Sequence, residues 1–429
     1  MKKMLMIATV PSMIGMFNRR NITILQQLGY EVHIACDFND RSIWPKETIR
    51  RFREEMREIH VRCFQVDFSR NPLRVDRMAD SYRQLLEILI KGKYAFVHTH
   101  TPIASMIGRL AVHRAGVKVI YTAHGFHFFK GSSVKNWLLY FPVEWLLSFW
   151  TDLLITINRE DYMRAKKSLH AKKTVYIPGV GVDTKKFAMC DVDRSKKRKE
   201  LGIPQTAVCF LSVGELQSRK NQRVIIEAMH RIDNPDLYYL CVGVGELKKE
   251  YERLTAKYKL KDNVKFLGFR TDIDELCKAA DCFIHPSVRE GLGIAPLEAM
   301  AGGLALISSD RNGIKDYTKD GVSGCCVDPL SVDEIAEAML KMAGNKEFRE
   351  TCGTHNMQTA RRFDQVHSDK IMKKAYQFVS DASCLGLGGE KAFYESERYR
   401  SYIQHRGVHR QMCKKPNRAD LAGFGNDSG

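Results

Sequence analysis

The chain has 429 residues, enough for two domains and a remainder. Hydrophobic residues make up 44% and charged residues 28%, which excludes collagen, wholesale disorder and a small disulfide scaffold. The formal net charge is +18, and residues 1–180 hold 28 Lys and Arg against 15 Asp and Glu, so that half is expected to meet an anionic partner or to carry a plain solvated basic surface. The chain opens Met1-Lys2-Lys3 and then "MLMIATV" (4–10). Pro11 follows this run with no small-residue cleavage site, so a buried strand is expected rather than a secretory leader. A loop through Ser12 and Gly15 leads to a helix near 18–28, then a strand at 31–37. The basic stretch 46–62 and the 74–92 stretch, with Val75, Met78, Tyr82, Leu85, Leu86 and Leu89 on one face, are helices. Strands follow at 94–100, 118–125 and 152–158.

The pattern restarts after Pro178. Strands are expected at 207–216, 237–245, 263–269, 281–287 and 304–310, with a helix at 221–232 and others between. Such alternation means parallel sheets covered by helices. The expectation is α/β: two Rossmann-like doubly wound domains, 1–178 and 179–360, facing an interdomain cleft. A helix at 361–380 would return to the first domain, and 381–429 would be a poorly ordered tail. The connection lies near 177–187, where Gly179 and Gly181 permit unusual backbone angles. In open sheets of this type, ligands bind at the carboxyl ends of the strands.

Residues 134–150, "VKNWLLYFPVEWLLSFW", hold three of the four tryptophans. Pro142 and Glu144 break the run, and no apolar stretch of the chain reaches the ~18 to 20 residues that span a bilayer. Two readings stand side by side: a helix buried nearly all round, or a membrane-interface helix in a basic domain. No helix-turn-helix, zinc-finger or RNA-binding signature accompanies the charge, so nucleic acid is not an expected partner. The cysteines include no CxxC pair. The Asp191/Asp193 and Asp272/Asp274 patterns sit in a charged linker and at a helix start, where aspartate caps amides, so no metal and no cofactor are expected.

The most informative stretch is 287–300, "SVREGLGIAPLEAM". A strand ends, Glu290, Gly291 and Gly293 form a loop, and a helix opens near Ala295-Pro296. A glycine-rich loop at a helix N-terminus attracts phosphate, and carboxylates beside it accept hydrogen bonds from hydroxyls. Diphosphate on the amides, with ribose and sugar on Glu298 and Glu290, is the chemistry of a nucleotide-sugar. The plainer alternative is a charge at a helix start and a surface glutamate.

The Glu-x7-Glu spacing within "EGLGIAPLEAMAGG" resembles the donor signature of retaining glycosyltransferases of family 4, which have the GT-B fold. "HTHTPIASMIGRLAVHRAGVKVIYTAHGFHFFKG" (98–131) is similar to the capsule and exopolysaccharide branch. "IPGVGVDTKKF" and "SVGELQSRKNQ" resemble its interdomain segment and first donor-domain loop, and the likeness covers roughly residues 1–378. The resemblance implies that Glu298 holds the ribose, Glu290 the transferred sugar, and the Gly293 and Ile294 amides the phosphate beside Gly291. Lys220 would neutralise the departing diphosphate. The family often has an arginine after the loop glycine. Here Glu215 stands there, and Arg219 is the candidate second cation. His124 matches the active-site histidine, with His100 a second cleft candidate and His127 a weaker one. Gly15, Arg19 and Arg20 are candidates on the acceptor side, or first-helix surface residues.

The function so implied is transfer of a sugar, with retention, from a nucleotide-sugar (a UDP-sugar as the expected donor) to a polyprenyl-diphosphate-linked saccharide, in capsule, exopolysaccharide or related glycan assembly. The enzyme would be cytoplasmic and peripheral on the anionic inner face of the membrane. The alternatives are an inactive membrane-associated interaction protein of the same fold and a sugar-nucleotide epimerase. A nicotinamide oxidoreductase is disfavoured, because no GxGxxG follows the first strand.

Overall fold

The computed structural model describes residues 1–71 and 74–380; the tail expected at 381–429 lies outside the described residues. Two all-parallel sheets dominate. The first has seven strands: β1 (Lys2–Ile7), β2 (Tyr30–Cys36), β3 (Arg62–Gln65), β4 (Phe96–His100), β5 (Lys118–Ala123), β6 (Leu153–Thr156) and β7 (Lys173–Tyr176), in the order β3-β2-β1-β4-β5-β6-β7. The second has six: β8 (Val208–Val213), β9 (Leu237–Val242), β10 (Val264–Gly268), β11 (Cys282–His285), β12 (Ala305–Ser309) and β13 (Gly324–Val327), in the order β10-β9-β8-β11-β12-β13. This is the GT-B arrangement of two Rossmann-like halves.

The central strands are continuous apolar runs because helices cover both faces of each sheet. Met4, Leu5, Met6 and Ile7 are fully buried, as are Phe210, Leu211, Phe283 and Ile284. Each sheet therefore has a core on either side, such as Leu5, Ile7, Leu85 and Val97 in the first half. In the second half, Leu211, Leu240, Phe283 and Leu306 pack on one face and Phe210, Tyr239, Ile284 and Ile307 on the other. Strand order reverses between β1 and β4 in one sheet and between β8 and β11 in the other. Loops leaving adjacent strands diverge at these points and open a crevice at the carboxyl ends.

Several expectations needed adjustment. The loop through Ser12 and Gly15 is a helix, Pro11–Phe17, followed directly by Arg19–Gln27. Its proline occupies the first turn, where a missing N–H costs nothing. The basic helix is Lys46–Glu58, and its expected end at Arg62 belongs instead to strand β3. The chain crosses between the halves twice, and the crossings pair: the Val182 amide donates to the Phe363 carbonyl (2.9 Å) and the Gln365 amide to the Val182 carbonyl (3.0 Å). After the second crossing, helix Gln365–Ser380 runs along the first half. Arg20 pairs with Asp369 through Nε–Oδ1 (3.0 Å), and the Tyr376 hydroxyl meets His98 Nδ1 (3.0 Å).

Candidate functional site

The loops leaving each switch point carry the candidate residues, and the two sets meet where Gly291 packs against the His124 carbonyl. In the second half, the loop after β8 carries Arg219 and Lys220, and the loop after β11 carries Ser287, Arg289 and Glu290. Because β8 and β11 are neighbours, side chains 70 residues apart meet. Glu290 is buried at 7% exposure. Its Oε1 contacts Lys220 Nζ and lies 3.1 Å from Arg219 Nη1, 3.3 Å from His285 Nε2 and 3.0 Å from the Ser287 hydroxyl. Burial acts to raise the Glu290 carboxyl, but the Lys220 charge, the His285 contact and the Arg219 charge hold it well below the usual carboxylate range. The result is an ionised carboxylate that keeps two cations gathered in the cleft. Burial lowers the pKa of His285, and Glu290 only partly opposes this.

Gly293 caps helix Ile294–Ala301 at φ +84, a conformation that favours glycine, and a Cβ there would lie 3.0 Å from the Tyr317 hydroxyl. Ile294 opens the helix. Glu298 lies one turn inside it, and burial lifts its pKa to about 7, with Lys186 opposing and Asp274 assisting. Glu215, where an arginine was the family pattern, is exposed, and its carboxylate accepts from Gln217 (2.9 Å). Two cations, Lys220 and Arg219, therefore converge on the site from the end of that loop. Asp272 is held by Arg270 and Lys197 (2.7 Å), and Asp193 caps helix Arg194–Glu200.

In the first half, β4 ends at His100 and β5 runs into His124. His100 Nδ1 and His124 Nε2 are 3.1 Å apart, and the His98 and His100 rings lie 4.1 Å centroid to centroid. Burial lowers His98 to about 3, His124 to about 4 and His100 well below its ordinary value, so all three are neutral near pH 7. With Arg20, Thr122, Ser368 and Asp369, His100 and His124 line a cavity of about 30 Å³. His100 Nε2 and the Ser368 hydroxyl have no hydrogen-bond partner among the described residues. Buried polar atoms of this kind call for a water or a substrate hydroxyl. Thr101, next to His100, sits at φ +64, and its hydroxyl is 2.7 Å from that of Thr9, two residues past β1. Strain of this kind concentrates at functional sites.

The two halves touch at the cleft floor. A Cβ on Gly291 would collide with the His124 carbonyl, and the Gly291 carbonyl accepts from Asn158 Nδ2 (2.8 Å). His124 is thereby fixed beside the loop that carries Glu290.

The acceptor-side candidates separate. Arg20 reaches the cavity and pairs with Asp369, whereas Arg19 turns away: it pairs with Glu55, donates to the Gly15 carbonyl (2.7 Å) and packs over Phe52. Gly15 lies under the Trp44 ring, where a Cβ would collide, so packing explains that glycine. His127 stacks on Tyr140 at 4.4 Å. The residues that sequence reasoning missed are His285, Ser287, Asn158 and Ser368. His285 had a signal, a histidine closing an apolar strand; the others had none short of the fold.

Two family models cover most of the chain: Glycosyltransferase Family 4 over residues 22–186 and Glycosyl transferases group 1 over residues 193–358. Among curated proteins, the chain is 33% identical to a putative glycosyltransferase EpsD of Bacillus subtilis, over 89% of this chain and 97% of that protein. It is 34% identical to an Escherichia coli UDP-Gal:alpha-D-GlcNAc-diphosphoundecaprenol alpha-1,3-galactosyltransferase, over 67% of this chain and 76% of the relative. The fold matches that of Anabaena HepE in complex with UDP-glucose, with TM-score 0.71 and 20% identity over 88% of this chain and 100% of that one. Signature, fold and relatives converge: the chain belongs to glycosyltransferase family 4 and is a glycosyltransferase.

Proposed function

We propose that the protein moves a sugar from a UDP-sugar to a hydroxyl of a saccharide carried on a polyprenyl diphosphate at an anionic membrane surface, with retention of anomeric configuration. The observation that carries this reading is the cation cluster around Glu290, beside a glycine-capped helix and on the loop whose Gly291 packs against the His124 carbonyl. Departure of a nucleoside diphosphate develops negative charge, and fixed cations with free helix amides stabilise it most where water is excluded. Lys220 and Arg219 fill that role, with the Gly293 and Ile294 amides. Glu298 takes the ribose hydroxyls, and Glu290 accepts from hydroxyls of the transferred sugar. His124 and His100 are neutral, so they hydrogen-bond donor and acceptor hydroxyls without repelling the cations. The Glu290 carboxylate is held by Lys220 and Arg219 and accepts from the sugar's hydroxyls rather than attacking its anomeric carbon, so the acceptor oxygen attacks from the face the diphosphate leaves, and the leaving oxygen takes its proton. The E. coli relative is named for a UDP-galactose donor and a diphosphoundecaprenol-linked acceptor, which supports both substrate classes here.

The test is transfer of labelled sugar from a panel of UDP- and GDP-sugars to lipid extracted from bacterial membranes, with chelator present. Label entering the lipid phase from a UDP-sugar, and released by mild acid, is the expected result. Label from GDP-sugars alone, or only water-soluble product, would overturn the donor or the acceptor assignment respectively. Interconversion of the donor sugar without transfer would replace the reading with an epimerase.

A further inference from the structure

Helix Val134–Ser148 is built inside out. Glu144 faces the protein, where its carboxylate accepts from buried Arg109 (2.8 Å) and from the Tyr121 hydroxyl (3.2 Å), while the Arg109 guanidinium lies over the Tyr121 ring. Tyr140, Leu147 and Ser148 share that inward side. At 100° per residue, this fixes the opposite face as Lys135, Leu138, Leu139, Pro142, Trp145 and Leu146, continued by Phe149. Leu138 is 73% exposed, Leu146 50% and Trp145 41%, although a soluble surface rarely gathers large apolar side chains in one stripe. Apart from Lys135, the stripe has no polar residue.

The surroundings are basic. Residues 102–173 contain 11 Lys and Arg and 4 Asp and Glu. All four acids are engaged: Glu144 with Arg109, Asp152 with Lys172, Glu160 with Arg164, and Asp161 buried on the Phe126 amide. His170 stacks on Phe149 at 4.3 Å, with Lys166 and Lys167 shortly before it in the chain; His113 stacks on Trp150 at 4.3 Å, next to exposed Arg114. The same segment begins at the cleft, since His124 leads through Phe129, over which Arg289 lies, into the helix.

We propose that this face enters the headgroup–acyl boundary of an anionic bilayer, with Leu138, Pro142, Trp145, Leu146 and Phe149 in the apolar layer and the flanking lysines, arginines and histidines on the lipid phosphates. The charge decides for lipid over a second copy of the chain, because two such faces would bring like charges together. The placement delivers a lipid-borne acceptor to the His124 side of the cleft, and to that extent the proposal rests on the lipid-acceptor reading. Vesicle binding is nevertheless read without donor or acceptor. Vesicle binding with no transfer refutes that reading alone, and transfer with no vesicle binding refutes this one alone.

The test is co-sedimentation of the full chain with phosphatidylcholine vesicles and with equal mixtures of phosphatidylcholine and phosphatidylglycerol, for wild type and Leu138→Gln/Leu146→Gln. UDP binding and the melting curve serve as controls for folding. Wild type should bind the anionic vesicles at least tenfold better than the neutral ones, lose binding in high salt, and show Trp145 quenching by bromolipid that disappears in Trp145→Phe. The double variant should bind at least tenfold more weakly with UDP binding unchanged. Equal binding by the double variant, no preference for anionic vesicles, or a wild-type dimer that the double variant dissociates would each overturn the proposal.

Discussion

Replacing Glu290 with glutamine separates its two tasks. The substitution keeps the volume and the contact with Ser287 but removes the charge that gathers Lys220 and Arg219. At 3.1 Å, a unit charge pair is worth roughly 5 kcal/mol at an effective dielectric near 20. Desolvation offsets most of that, and Arg219 is partly exposed and screened, so the net loss of stability should be about 1–3 kcal/mol. The same change frees both cations for a diphosphate. UDP affinity, measured by titration calorimetry, should therefore hold or rise by up to about tenfold, which corresponds to about 1.4 kcal/mol. Sugar transfer should fall by about 100-fold or more, because the carboxylate that meets the transferred sugar is gone. Transfer within threefold of wild type, together with weakened UDP binding, would show that Glu290 only props up the loop and would refute the reasoning.

Other consequences are equally direct. Glu298 has a folded pKa of about 7, raised by burial, so its contribution to stability is present below the unfolded carboxylate pKa and is lost as pH rises through 7. Glu298→Gln should accordingly be more stable than wild type at pH 8, by up to about 3 kcal/mol, but not at pH 5, as read by thermal melts. If the ribose hydroxyls bind the ionised form, UDP binding by wild type near pH 6.5 should release more protons than binding by Glu298→Gln, the difference being the glutamate's proton and the remainder the β-phosphate's own, as read by calorimetry across buffers. Gly291→Ala places a methyl against the His124 carbonyl, so it should reduce transfer at least tenfold, with a smaller change in UDP binding because both cations come from one half. Arg109→Met leaves Glu144 buried without its cation and should cost about 3–5 kcal/mol in chemical denaturation, most of it recovered in Arg109→Met/Glu144→Leu.

The strands nearest the sheet centres were legible because burial on both faces turns them into apolar runs, as in β1 and β8. Strands β3, β7 and β13 were not: each has four residues, lies at a sheet edge, and reads as polar or mixed. Glu290 and Lys220 were found separately, one by its loop and one by family likeness. Their contact across 70 residues depends on β8 lying next to β11, which no local pattern encodes. Arg19 and Arg20 looked interchangeable as neighbours; only the rotation of helix Arg19–Gln27 sends one to Glu55 and the other to the cavity. The helix at 134–148 was ambiguous because its composition is apolar nearly throughout. The direction of its exposed face is set by Arg109, 35 residues earlier, which draws Glu144 inward.

The most direct test of the site is a crystal structure of the protein with UDP. The diphosphate should lie within hydrogen-bonding distance of Lys220, Arg219 and the amides of Gly293 and Ile294, with the ribose on Glu298 and the β-phosphate directed toward His124. UDP bound elsewhere, or bound with Lys220 still paired to Glu290 and away from the phosphates, would contradict the account.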